Sequence, residues 1–155
     1  MVSLILKALE TRYENQLKTK ESLESKAANL IAFVAIIVSI YTGFFSGILT
    51  KQTTFSLPSL LFWMSTIFYL LAAVSSLIVL WVRWGSVPLR ITREFIEEHK
   101  KSSNERLEEI FQTDYLNAIE DLTKSNNRKA FWLRFGFSSA FLAILFTVFL
   151  ITSLL

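Results

Sequence analysis

Residues 27–49 read AANLIAFVAIIVSIYTGFFSGIL, residues 60–81 read LLFWMSTIFYLLAAVSSLIVLW, and residues 135–155 read FGFSSAFLAILFTVFLITSLL. No Asp, Glu, Lys, Arg or His falls inside any of the three. About twenty apolar residues in an α-helix rise ~30 Å, the thickness of a bilayer's hydrocarbon core. A helix packed on a water-soluble core carries a polar face, and these runs do not. The reading is an all-α integral membrane protein with three transmembrane helices. The spans lie at about 27–49, 60–82 and 133–155, with the lipid bilayer as the first partner.

The flanks are as charged as the spans are apolar. Before the first span lie Lys7, Arg12, Lys18, Lys20 and Lys26, and between the first and second only Lys51. Between the second and third lie Arg83, Arg90, Arg93, Lys100, Lys101, Arg106, Lys124, Arg128 and Lys129, with Arg134 at the edge of the third. Basic residues stay on the cytoplasmic side of a membrane. The expected topology is a multi-pass cell-membrane protein with its N-terminus and long middle segment in the cytoplasm and its C-terminus outside. Trp63, Trp81, Trp84, Trp132 and Arg134 are the expected interface anchors. A tryptophan ring is apolar while its N–H needs a wet partner, and an arginine there snorkels toward water.

Composition removes several classes of function. There is no cysteine, so disulfides, thiolate metal sites and thiol nucleophiles are excluded. The one histidine, His99, follows Glu97 and Glu98 and reads as a solvated side chain. The acids from Glu94 to Asp121 resemble a charged helix face; none is marked as a positioned pair in a cleft. Phosphate-loop, nucleophile-elbow and metal-helix motifs are missing. No catalytic, cofactor-binding or metal residue is therefore predicted, and an enzyme is not expected. The pI near 9.3 does not signal nucleic acid, because acids interleave with the bases and leave no positive stripe. No signal peptide is apparent, and the charged N-terminal segment is expected to remain in the mature protein.

The polar segments have helical order of their own. Leu4, Leu6, Leu9, Tyr13, Leu17 and Leu23 recur near helical spacing, with no proline between residues 3 and 49. A cytoplasmic helix over 3–26 should run without a break into the first span. Pro58 suits the first turn of the second span, and Gly85, Ser86 and Pro88 should end it. The middle segment, 88–130, should hold a short charged helix over 89–101. A longer helix should follow, started by a Ser102/Glu105 capping box, and it either kinks at Asn126–Asn127 or runs straight into the third span. Leu107, Ile110, Phe111, Tyr115, Ala118, Ile119 and Leu122 form its apolar stripe. Leu9, Tyr13 and Leu17 on one helix and Leu107, Ile110, Phe111, Tyr115 and Leu122 on the other are the expected packing residues of a cytoplasmic helical stalk. Nothing resembling a flexible linker intervenes, so residues 1–155 read as one domain.

Ala28, Ala32, Ser39, Gly43 and Gly47 fall on nearly one face of the first span. Small residues let helix backbones approach closely in lipid, where burial of apolar surface gives little drive. Two readings follow: packing against the chain's own spans, or a face for a homo-oligomer. The hydroxyls of Ser39, Tyr41, Thr42 and Ser46 admit a further one, a wet path in a small channel. A coupled transporter is disfavoured, because no ionisable residue lies deep in a span.

Two stretches carry a family likeness. One is Leu23-Glu24-Ser25-Lys26-Ala27-Ala28-Asn29-Leu30-Ile31, a charged helix with a Lys-Ala step and an acid two residues before it. The other runs from Tyr115-Leu116 through Asn126-Asn127-Arg128-Lys129-Ala130, a polar helix leading into a last span. The chain resembles the membrane effectors of the Pycsar anti-phage systems and, more loosely, SLATT-type membrane effector domains. The resemblance implies a multimeric bilayer protein that perturbs the membrane after a cytoplasmic protein or small-molecule cue. It transfers no nucleotide-binding residue. Beside this non-enzymatic effector stands an accessory or scaffold subunit that would dock a larger complex through the stalk.

The topology makes a direct prediction. In intact cells an impermeant thiol reagent should label Gln52→Cys and leave Ser103→Cys silent; the reverse pattern would overturn the orientation.

Overall fold

The computed structural model describes residues 2–49, 57–81 and 104–154, with side chains at 4–45, 57–81 and 106–154. Among these residues the structure is entirely helical: α1 (Val2–Leu49), α2 (Leu57–Trp81) and α3 (Asn104–Leu154). All three are long and apolar enough to cross a membrane. The expected helix over 89–101, the Ser102 cap, His99 and Trp84 lie outside the described residues.

Local sequence explains the continuity. Nothing in α1 interrupts its 48 residues, since proline is absent and its glycines come late. In α2, Pro58 occupies the first turn, where no intrahelical N–H bond is lost. α3 stays α-helical through Asn126–Asn127, over 51 residues in all. The Asn126 side chain turns sideways to another helix and leaves its own backbone intact.

Contacts divide the chain into two units: residues 1–23 with 83–128, and residues 24–82 with 129–155. In the first, α1 and α3 meet along their apolar stripes. Tyr13 stands edge-on to Tyr115, ring centres 5.9 Å apart. Ala118, Ile119 and Leu122 are buried, while Leu9, Tyr13, Leu17, Leu107, Ile110, Phe111 and Tyr115 are half-buried.

The second unit is a three-helix bundle. Gly136 of α3 meets Leu30 of α1, and Leu150 clusters with Tyr41 and Phe45, so α1 and α3 run parallel. Tyr41 meets Phe62 while Gly136 meets Ala72 and Ser75, so α2 runs antiparallel to both. Residues 24, 81 and 129 therefore share one end of the bundle.

This bundle is inverted relative to a soluble core. Its interior mixes small and hydroxyl-bearing residues, Ala27, Ser65, Ala72, Ser75, Ser76, Ser139, Ala140 and Ala143, with larger ones such as Leu30, Tyr69, Val79 and Leu150. Its exterior is large and apolar, with Ile36, Phe44, Leu70, Phe141 and Phe149 each more than half exposed. The apolar stretches of the three helices are only 22%, 33% and 22% buried. Such a surface is stable against hydrocarbon and not against water.

Gly136 sits close against both other helices. A Cβ there would lie 3.2 Å from Leu30 Cδ2, 3.3 Å from Ser75 Oγ and 3.5 Å from the Ala72 carbonyl oxygen. Gly136→Ala meets two movable side-chain atoms and gains helix propensity, so its effect should stay within about 1 kcal/mol. Gly136→Leu must push the α2 backbone away and should destabilise by about 3 kcal/mol. Thermal unfolding of both variants in detergent checks this; equal midpoints would overturn it.

Candidate functional site

The bundle concentrates its polar chemistry in two places. The first is the ion pair between Lys129 Nζ on α3 and Glu24 on α1. The Lys129 side chain is 3% exposed and that of Glu24 35%. Glu24 precedes the charge-free run of α1 by about one turn and Lys129 that of α3 by somewhat less than two. The pair therefore sits at the end of the bundle where both parallel helices begin their apolar course. A buried ammonium is costly unless paired, so Glu24 compensates the charge that Lys129 brings into the helix interface.

The second is a set of hydroxyls deeper in the bundle. The Tyr41 and Ser65 hydroxyls are hydrogen-bonded to each other, and both lie within donor distance of the Phe62 carbonyl, at 3.2 and 2.9 Å. Tyr41 also stacks on Phe62, ring centres 5.0 Å apart. Tyr69, about two turns on in α2, approaches Thr147 of α3 at 3.3 Å. Ser76 and Thr147 donate to their own helices, at the Ala72 and Ala143 carbonyls, both at 2.9 Å. These hydroxyls are engaged in hydrogen bonds between and within helices, which hydrocarbon could not supply.

In the other unit, Asn126 is buried, and its Nδ2 donates to both the backbone carbonyl and Oε1 of Gln16, each at 2.9 Å. Its Oδ1 is buried without a hydrogen-bond partner among the described residues. Burial, then the carboxylate of Glu10, the Tyr13 phenol and the carboxylate of Glu14, raise the Tyr115 pKa, which keeps that phenol neutral. Lys124 and Glu120, one turn apart and exposed, hold each other charged: the hydrogen bond lowers the Glu120 pKa and raises that of Lys124. An exposed pair of this kind positions nothing.

The small-residue face of α1 does not enter the bundle interior. Ala28, Ala32, Ser39 and Gly43 are exposed, roughly opposite the buried Ala27, Leu30, Val34 and Tyr41. A Cβ on Gly43 would meet nothing within 4 Å. Ser39 and Thr42 donate to the Ala35 and Val38 carbonyls, both at 2.8 Å, so their hydroxyls are satisfied on the outer face. Gly47 lies within α1, its surroundings outside the described side chains. The small residues that do pack inside are on α2 and α3. Trp63 is 59% exposed and Trp81 86%, while Trp132 and Arg134 also face outward.

Glu24–Lys129, Gln16–Asn126 and Gly136 escape a linear reading. One signal was available for the first: an acid and a base each within two turns of a charge-free run, ahead of two spans entering from the same side. Among the described residues, no group of three or more His, Asp or Glu converges to hold a metal.

Residues 7–155 match the family of the Pycsar effector protein domain. No curated protein and no solved structure matches the chain.

The ion pair predicts an asymmetry. Glu24→Gln strands a buried ammonium and should cost roughly 3 kcal/mol. Lys129→Met leaves a carboxylate that water reaches and should cost about 1 kcal/mol. The double variant Glu24→Leu/Lys129→Met should recover most of the loss. Unfolding midpoints of the three proteins in detergent measure this, and equal losses in the two single variants would refute it.

Proposed function

Because the chain belongs to the Pycsar effector protein domain family, we propose that it is a non-enzymatic membrane effector of anti-phage defence. It self-associates in the bilayer and perturbs it after a cytoplasmic cue. The observation that carries the self-association is the outward position of Ala28, Ala32 and Ser39, continued along the helix by Gly43 and Gly47. Side chains this small let a second helix approach to backbone contact, the arrangement that gains most dispersion energy in lipid. The homo-oligomer forms through this face. The N-terminus and the segment between α2 and α3 lie in the cytoplasm, in keeping with the distribution of lysine and arginine. A cue acting on the paired α1 and α3 segments of residues 2–23 and 104–128 reaches the bilayer through helices that have no break.

The scaffold reading draws on the same segments. Leu4 and Leu116 are 75% and 54% exposed, and Leu107, Ile110 and Phe111 are half-buried, a surface that a larger complex could cover. Cross-linking in membranes separates the two: a ladder of self-oligomers supports the effector, and a dominant foreign partner supports the scaffold.

Function is tested by induced expression with a potential-sensitive dye. The wild-type protein, with its cue present, should collapse the membrane potential. Ala32→Leu, which adds bulk on the outer face only, should fold normally, lose the self-cross-linked species and leave the potential intact. A variant that still depolarises cells without forming oligomers would refute the assembly.

A further inference from the structure

We propose that the seam between α1 and α3 holds an anionic phospholipid. The structure places a groove of ≈ 480 Å³ there, within the three-helix bundle, its walls including Phe33 on α1 and Phe137, Phe141 and Ile144 on α3. Lys26 and Asn29 stand at one end of it. Its polarity is graded like that of an amphiphile: a cation and an amide where the span begins, then aromatic and aliphatic side chains only. On each helix the groove covers about two turns, or ~10 Å, which is most of the ~15 Å depth of one leaflet. One acyl chain lies along it while the phosphate meets Lys26.

Charge selects the occupant. Lys26 is exposed and has no acidic partner within 4 Å among the described residues; Glu24, two residues before it on α1, points to another face and pairs with Lys129. Asn29 is exposed, with no hydrogen bond to another described residue. Both groups are thus available to phosphate oxygens at the depth where headgroups lie, and basic pockets between transmembrane helices bind anionic headgroups in this way. A second groove on the same seam, of ≈ 440 Å³, lies toward the opposite end between Ile37 and Leu154. Its two polar residues are already engaged: Tyr41 with Ser65, Thr147 with the Ala143 carbonyl. That groove offers a chain slot without a headgroup site, so the two make an internal comparison. The inference does not rest on the effector reading. A lipid-binding protein that leaves the potential unchanged, or a depolarising one indifferent to headgroup, would tell them apart.

The test is native mass spectrometry of the full chain in neutral detergent. The probes are phosphatidylglycerol, phosphatidylcholine with the same acyl chains, and glycerol phosphate as the headgroup alone. One lysine near the surface strengthens anionic binding roughly five-fold, so phosphatidylglycerol should be retained about that much better than phosphatidylcholine. Glycerol phosphate should not be retained. Lys26→Gln should abolish the preference, while Lys20→Gln, the same charge removed elsewhere, should keep it. In vesicles, a fluorophore on Asn29→Cys, the only thiol in the chain, should be quenched more by brominated phosphatidylglycerol than by brominated phosphatidylcholine. Equal retention of the two lipids, equal loss in both lysine variants, or a label shielded only in cross-linked dimers would overturn the proposal; the last outcome would assign the groove to a second copy.

Discussion

Hydrocarbon supplies neither a hydrogen-bond partner nor a hydrophobic drive, and the three-helix bundle is shaped by that double lack. With no water to expel, helices associate where small residues let their backbones approach, as at Gly136 against Leu30, Ala72 and Ser75. With no solvent to satisfy them, hydroxyls bond inside the bundle: Tyr41 to Ser65 and Phe62, Ser76 to Ala72, Thr147 to Ala143. Large apolar side chains move outward because lipid receives them as readily as a protein interior would.

Charge is handled by position. Among the described residues the one lysine buried in this bundle, Lys129, lies before the apolar run of α3, where Glu24 of the parallel α1 reaches it. Deeper in the bilayer such a pair would carry a larger desolvation cost; farther out it would be screened by water and specify little. At this depth it ties α1 to α3 within the bundle. Gln16 and Asn126 do the same in the other unit with neutral groups, and the tyrosine pair Tyr13–Tyr115 adds an aromatic contact.

Membrane effectors need an element that can rearrange as well as one that spans. Small outward residues on α1 suit the first need, because contacts made by dispersion over small side chains have no strong directional bond to break. The spanning bundle suits the second, with its tyrosines and its ion pair holding the three helices in one arrangement. Family membership supports a membrane effector role, and the outward small residues of α1 are what the proposed assembly is built on.

Much of this was legible in the linear sequence. Span number and length follow from the absence of charge over about twenty residues, since burying a charge in lipid is prohibitive whatever the fold. Helix continuity in α1 follows from its missing prolines, and the stripes through Tyr13 and Tyr115 from helical periodicity. Which small residues pack inside did not follow. Ala28, Ala32, Ser39 and Gly43 make the more regular pattern, yet Gly136, Ala140 and Ala143 are the ones buried. In a span that is apolar all round, no polar face marks which side is inward, so rotation about the helix axis is set by contacts alone. For the same reason Glu24 and Lys129 read separately as surface charges. Only the parallel packing of α1 and α3 puts an acid from one end of the sequence beside a base from the other.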